Sequence, residues 1–393
     1  MISVTEALAK ILKDVAPLPA RTLPLADGLN RYAARDVFAR LPMPLFDNSA
    51  MDGYAVVARS ASPGNVLKVA GEQPAGADRA LRVSAGEAIR IFTGAPIPAG
   101  ADAVIMQEDV DASGSEITCQ DAVEAGQYIR RRGCDLAVGQ KILETGQRIR
   151  PETLALLASQ GLSEIQVGGE VRCSVVSTGD ELVTSRRELL PGELYESNSV
   201  LLVGLLKNWG ATVVSSVHCG DELEAIKAAL NNGSENDALI LSGGVSVGAH
   251  DLVKSALSSL GARIDLWRVA VKPGKPFLFG HLGDTRIFGL PGNPVSAFVT
   301  FLLFVRPAIL KLMGAGDSEL ALAKVPSRLG ADIHNDGDRA HYVRGKIENG
   351  VFTPVGRQES HALYSLARSN ALLLVGCGEK IAAGAPVEAI VWG

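Results

Sequence analysis

A chain of 393 residues exceeds what one hydrophobic core organises, so two or more domains are expected. It is 47% hydrophobic and 21% charged with a net charge of −5, a globular composition that argues against a broad basic surface for nucleic acid. Five widely spaced cysteines without a C-x-x-C pair argue against a disulfide framework, and six histidines without H-E-x-x-H spacing argue against a histidine-rich zinc site, so a reducing, cytoplasmic setting is expected.

The first element is a charged amphipathic segment, Val4 to Val15, which predicts a helix stopped by Pro17 and Pro19 and is not a signal peptide. Residues 45–135 carry short β-type runs, VLKVAG, ALRVSAGEAIRIFTG, AVIMQEDV and EITC, broken by Gly, Pro and Asp; they predict a small β-rich domain. Pro151-Glu152-Thr153 starts a helix that Gly161 ends. Residues 1–44 with 136–170 are assigned to an extended, helix-containing domain.

From about residue 170, strand, loop and helix alternate. VRCSVVS, ATVVSSVHC, DALILSGG and IDLWRVAV read as strands. The helices between them begin at Ser199, at Asp221 as N-cap with Glu224 three residues on, and at Asp251 as N-cap. FLFGHL and TRIFGL flank Gly283-Asp284 as a hairpin. Asn293-Pro294 opens an apolar helix whose strongly apolar stretch, Pro294 to Val305, falls short of the ~20 residues of a membrane span. The fold class expected is therefore multidomain α/β: a central domain over 171–316 with a mostly parallel sheet and helices on both faces, and a C-terminal β-barrel-like domain over 317–393.

In an open α/β sheet, ligands bind outside the carboxyl ends of the strands. The loops leaving those ends are STGDE (177–181), HCGD (218–221), SGGVSVGAHD (242–251), KPGKP (272–276) and LPGNP (290–294). They place Asp180, Glu181, Asp221, Asp251, Lys272 and Lys275 on one rim. Taken singly, the acids read as helix caps, the glycines as turns and the lysines as solvated. Gathered together, the carboxylates repel one another, and a divalent cation removes that cost. Hard oxygen ligands beside lysines and open backbone amides suit phosphate with Mg²⁺. No G-x-G-x-x-G follows a strand and no G-x-x-x-x-G-K-[ST] occurs, which sets aside hydride transfer and Walker-type NTPases. Gly244-Val245-Ser246-Val247-Gly248 matches the G-x-S-x-G elbow, but the next helix cap, Asp251, comes five residues past Ser246. That loop is too long for an elbow, and Asp265 and His281 have no spacing that gives them a role, so a serine hydrolase is disfavoured.

Seven stretches in order, PLFDNSAMDGYAV (44–56), IFTGAPIPAGADAVIMQED (91–109), IRRRGCD (129–135), STGDEL (177–182), SGGVSVGAHD, VKPGKPF (271–277) and GLPGNPVSA (289–297), resemble the molybdopterin molybdenumtransferase family, the MoeA type that includes the C-terminal domain of gephyrin. The resemblance implies an enzyme that takes adenylylated molybdopterin and molybdate, cleaves the pyrophosphate link with Mg²⁺ and releases AMP. It also implies an elongated homodimer with a shared cleft. Asp52, Thr93 and Asp135 would then reach the cleft from the partner subunit. Glu181, Asp221 and Asp251 would be the acidic, metal-positioning set, and Lys272 and Lys275, helped by Arg268, would hold the pyrophosphate. Ser242, Gly243, Gly244 and Ser246 would wrap the anion, Pro291 and Pro294 would shape the loop before the apolar helix, and Ser360 would be a contact from the last domain. Glu359 stands where a glycine is expected, and His250 where an acid is common. A molybdopterin adenylyltransferase is the expected upstream partner; nucleic acid and membrane are not expected partners. Two rival readings are an adenylyltransferase, which the stretches at 44–56 and 91–109 argue against, and a gephyrin-like scaffold, which the retained acids and lysines argue against.

Overall fold

The computed structural model describes residues 1–184, 187–244 and 252–392. They fall into two compact units, one of Asp36–Leu143 with Leu156–Gly161, the other of Met1–Arg35, Glu144–Ala155 and Leu162–Gly393.

The smaller unit is built on a six-stranded sheet in the order Ala103–Met106, Gly53–Val56, Glu87–Ile91, Val66–Gln73, Glu116–Cys119, Val110–Ser113. Alternation along Val66–Gln73 turns Leu67 into a core with Tyr54, Val56, Ala88 and Ile105. The run ALRVSAGEAIRIFTG is only partly strand, because Ala85-Gly86 turn the chain before Glu87.

In the larger unit, the first helix, Val4–Asp14, starts with a reciprocal cap: Glu6 N–H donates to Ser3 Oγ (3.2 Å) and Ser3 N–H to Glu6 Oε2 (2.8 Å). Its Ala7 and Ile11 join the main core. The central sheet has the order Thr212–Cys219, Arg172–Thr178, Ala238–Ser242, Thr285–Leu290, Leu278–Leu282, Arg263–Trp267. The first four strands are parallel and the hairpin adds the antiparallel remainder. Consecutive side chains take opposite faces. Val175 and Ile240 pack with Leu202 and Leu206 on one side; Val176 and Leu239 pack with Ile226 and Leu257 on the other. The Arg172–Thr178 strand lies between Thr212–Cys219 and Ala238–Ser242, the next two strands of this sheet in sequence, so its following loops diverge and open a crevice at the carboxyl edge.

Three expectations need correction. The helix after residue 220 runs Leu223–Gly233 with Glu222 at the cap position, and Asp221 N–H turns instead to Asp180 Oδ1 (2.9 Å). IDLWRVAV is not one strand: Arg263–Trp267 ends the central sheet, Arg268 takes a left-handed φ of 72°, and Val271–Lys272 pairs with Ala340–Glu348. The apolar stretch Pro294 to Val305, expected to fall short of a membrane span, is only part of its helix. The helix continues to Leu312, 19 residues with a mean hydropathy of 1.8, long and apolar enough to cross a membrane, yet 94% of that stretch is buried inside the protein. Arg306, which breaks the apolar run in sequence, stacks on Trp209 (4.1 Å) and donates to Leu320 O (2.7 Å). Burial lowers its guanidinium pKa to about 10. A helix apolar on all sides belongs in a core, and here Phe304 packs on Phe277 (4.5 Å) and Phe298 on Trp392 (5.0 Å).

The last region is a closed barrel. Ala340–Glu348, Val351–Pro354, Lys324–Leu329, Pro386–Val391 and Ala371–Val375 pair in turn, and the last returns to the first.

Candidate active site

A cleft of about 1400 Å³ lies at the carboxyl edge of the central sheet, within the larger unit. Glu181 and Asp221 reach it as exposed carboxylates. Glu181 follows a turn at Gly179, and its carbonyl accepts from Leu194 N–H (2.7 Å), which fixes the backbone beside the crevice. Asp221 is not the helix cap, so its carboxylate is left for the cleft. Ser242, Gly243 and Gly244 contribute the turn at the end of the Ala238–Ser242 strand. Gly243 has φ 92°, and a Cβ there would sit 2.6 Å from Thr178 O, so only glycine fits this close backbone approach.

Lys272 and Lys275 also line the cleft. Both are exposed, and neither has a carboxylate partner among the described residues. Pro291 and Pro294 border it, and Asn293 Nδ2 between them donates to Ser360 Oγ (2.9 Å). Ser360 is further held by Val295 N–H on its carbonyl (3.2 Å). A barrel loop and a sheet loop are thus tied at one point on the cleft.

Four contributors were not found from sequence. Arg339 lines the cleft and donates to Val271 O (3.1 Å). Arg344 is completely buried; it donates to Arg357 O (2.5 Å) and Glu359 O (3.2 Å), so it props the loop that carries Ser360. His341 pairs in register with Lys272 and is 7% exposed. Burial, with Lys272, Arg344 and Arg339 nearby, lowers its imidazole pKa to about 4. Asn198 bridges two cleft loops. None of these sits in a glycine-rich stretch, and the strand pairing that gathers the barrel residues is long-range.

Asp52, Thr93 and Asp135 belong to the smaller unit. Asp52 Oδ1 accepts from Thr93 N–H (2.7 Å) and Thr93 Oγ1 (2.8 Å). Those two bonds hold its carboxyl below the ordinary range. Asp135 is exposed, its N–H bonded to Met43 O (2.9 Å). In the preceding arginine run, Arg131 pairs with Asp47 (2.7 Å).

Arg268 does not line the cleft; its N–H bonds Phe277 O (2.9 Å). Ser246 and Asp251 lie outside the described residues. The chemistry of the two described acids fits a magnesium ion, which takes one or two carboxylates and fills the remaining positions with phosphate oxygens and water. Among the described residues, the three metal-capable groups with converging atoms are Asp14, Asp265 and His281. There His281 bonds Asp14 (2.5 Å) and Asp265 (3.0 Å), and Arg263 already supplies a cation to both acids (3.5 and 3.0 Å). His281 lies in register with Arg286 and hence with Ala238, four residues before Ser242. That is about 13 Å along the strand from the cleft edge, so Asp265 and His281 cannot serve Ser242 or the turn that follows it.

The sequence matches the MoeA N-terminal region (domain I and II) over residues 2–161, a probable molybdopterin binding domain over 174–311 and the MoeA C-terminal region (domain IV) over 326–392. It is 38% identical to the molybdopterin molybdenumtransferase of Haemophilus influenzae, with 95% of this chain and 94% of the relative covered. It is 37% identical to molybdopterin molybdenumtransferase 2 of Mycobacterium tuberculosis, with 93% and 92% covered. The solved structure of the molybdopterin biosynthesis MoeA protein from Pyrococcus horikoshii OT3 aligns over 100% of both chains with a TM-score of 0.86 at 29% identity.

Proposed function

The chain belongs to the MoeA family and is a transferase of molybdenum cofactor biosynthesis, and on that premise we propose that its cleft takes adenylylated molybdopterin and molybdate and returns AMP and molybdenum-loaded molybdopterin. The observation that carries this reading is the meeting of Glu181, Asp221, Lys272 and Lys275, from three separate loops, in one cleft.

Splitting a pyrophosphate needs positioning and charge neutralisation more than a covalent nucleophile. Lys272 and Lys275 bring uncommitted positive charge for the phosphate oxygens, and Arg339 adds a planar donor set suited to a tetrahedral anion. Gly243 and Gly244 present backbone where no side chain intervenes. Ser360, pinned by Asn293, offers a hydroxyl at a fixed place. Glu181, Asp221 and Asp251 would hold Mg²⁺, which would supply charge neutralisation for the phosphates.

We propose further that the protein works as a homodimer in which Asp52, Thr93 and Asp135 serve the cleft of the partner subunit, and that a molybdopterin adenylyltransferase supplies its substrate. All five cysteines are free, which supports a reducing cytoplasmic setting. AMP release from adenylylated molybdopterin, measured with and without molybdate, tests the reaction. Release that depends on molybdate is expected. ATP consumption with free molybdopterin and no molybdate-dependent AMP would replace this reading with an adenylyltransferase.

A further inference from the structure

The Ser242–Gly244 turn and the Pro291–Pro294 loop leave neighbouring parallel strands, with Ser242 opposite Leu290. Gly243 N–H still reaches Leu290 O (3.3 Å), and both segments go on to line the cleft. Asn198, the first residue of the Asn198–Asn208 helix, ties the two together. Its Nδ2 donates to Ser242 Oγ (2.9 Å) and to Gly292 O (2.6 Å). A carbonyl oxygen only accepts, so Gly292 O fixes which way the amide points. The residue is 6% exposed, lines the cleft, and its Oδ1 has no hydrogen-bond partner. Leaving a buried acceptor unmet is costly, so the side chain is held by what its nitrogen does.

We propose that Asn198 is a positioning residue that sets the spacing between the two loops on which the anhydride is cleaved, a role that rests on the proposed reaction. Asparagine suits it because one nitrogen carries two donor hydrogens. Aspartate of the same size has none, and would set a carboxylate against Gly292 O.

The test compares Asn198→Ala, Asn198→Asp, Ser242→Ala and the Asn198→Ala/Ser242→Ala double variant, each at a temperature where its melting curve shows full folding. Asn198→Ala should lower kcat for AMP release about 10- to 100-fold while KM stays within about threefold, since geometry rather than contact with substrate is lost. Asn198→Asp should fall at least as far. The double variant should lie within about twofold of Asn198→Ala, because Ser242→Ala removes one of the two bonds that Asn198→Ala already removes. Wild-type kcat in either Asn198 variant, or effects that multiply in the double variant, would overturn the proposal. Hydrogen–deuterium exchange gives a readout without turnover: the Gly243 amide should exchange faster in Asn198→Ala with no substrate present. Unchanged exchange there also overturns the tie, whereas a wild-type protein that releases no AMP counts against the reaction and leaves the tie to be judged by exchange.

Discussion

Lys275 enters the cleft beside Pro276 with no carboxylate to share its charge among the described residues. An ammonium left unpaired at a concave surface is available to a ligand, and a charge-assisted bond to phosphate is roughly twice as strong as a neutral one. Lys275→Ala should therefore weaken binding of the anionic substrate by about tenfold or more, read by titration calorimetry; unchanged affinity would make the lysine a solvated turn. His341 makes a different prediction. Its folded pKa of about 4 lies below the ordinary 6.5. Between those values the unfolded chain takes up a proton that the folded chain refuses, so stability falls as pH drops through that window and is flat above it. The full gap is worth on the order of 3 kcal/mol. Urea unfolding at pH 7 and pH 4.5 should show a loss that shrinks by about 2 kcal/mol in His341→Gln.

The loops that end the central strands were legible because glycine, acids and lysines cluster where strands stop, and strand ends are marked by apolar runs. The ties beneath them were not. Arg339 reaches the cleft, and His341 lies beside Lys272, only because Val271–Lys272 leaves one sheet and joins another, a switch that IDLWRVAV conceals since all eight residues suit a strand. Asp221 shows the converse: the sequence offered it as the helix cap, and the cap position went to Glu222. The Ser242–Gly244 turn carries the clearest element-level prediction. In Gly243→Ala, the left-handed backbone alone costs about 1–2 kcal/mol, and the new methyl meets Thr178 O at 2.6 Å. Anion affinity should drop by about tenfold as the turn opens, with thermal melting showing whether the fold survives; wild-type affinity would mean the turn is not a ligand surface.

At the scale of the whole molecule, the fold class followed from alternating strands and helices, but Asp52 and Thr93 could be assigned a role only through resemblance. Nothing in their local chemistry points to the loops of the other unit. If the cleft is completed by a partner subunit, mixing Asp52→Ala with Glu181→Ala chains should restore about one intact site per heterodimer. AMP release from the mixture, compared with each variant alone, measures this; no recovery would confine each site to one chain.

The carboxyl-terminal barrel bears on handling as well as on architecture. Its final strand, Pro386–Val391, is bonded on both sides, to Lys324–Leu329 and to Ala371–Val375. Losing those few residues would do more than shorten the chain. Two rows of backbone donors and acceptors would be laid bare at once, and such rows invite any passing strand to dock. The carboxyl terminus thus acts as a zip, and a clipped preparation should stick to itself.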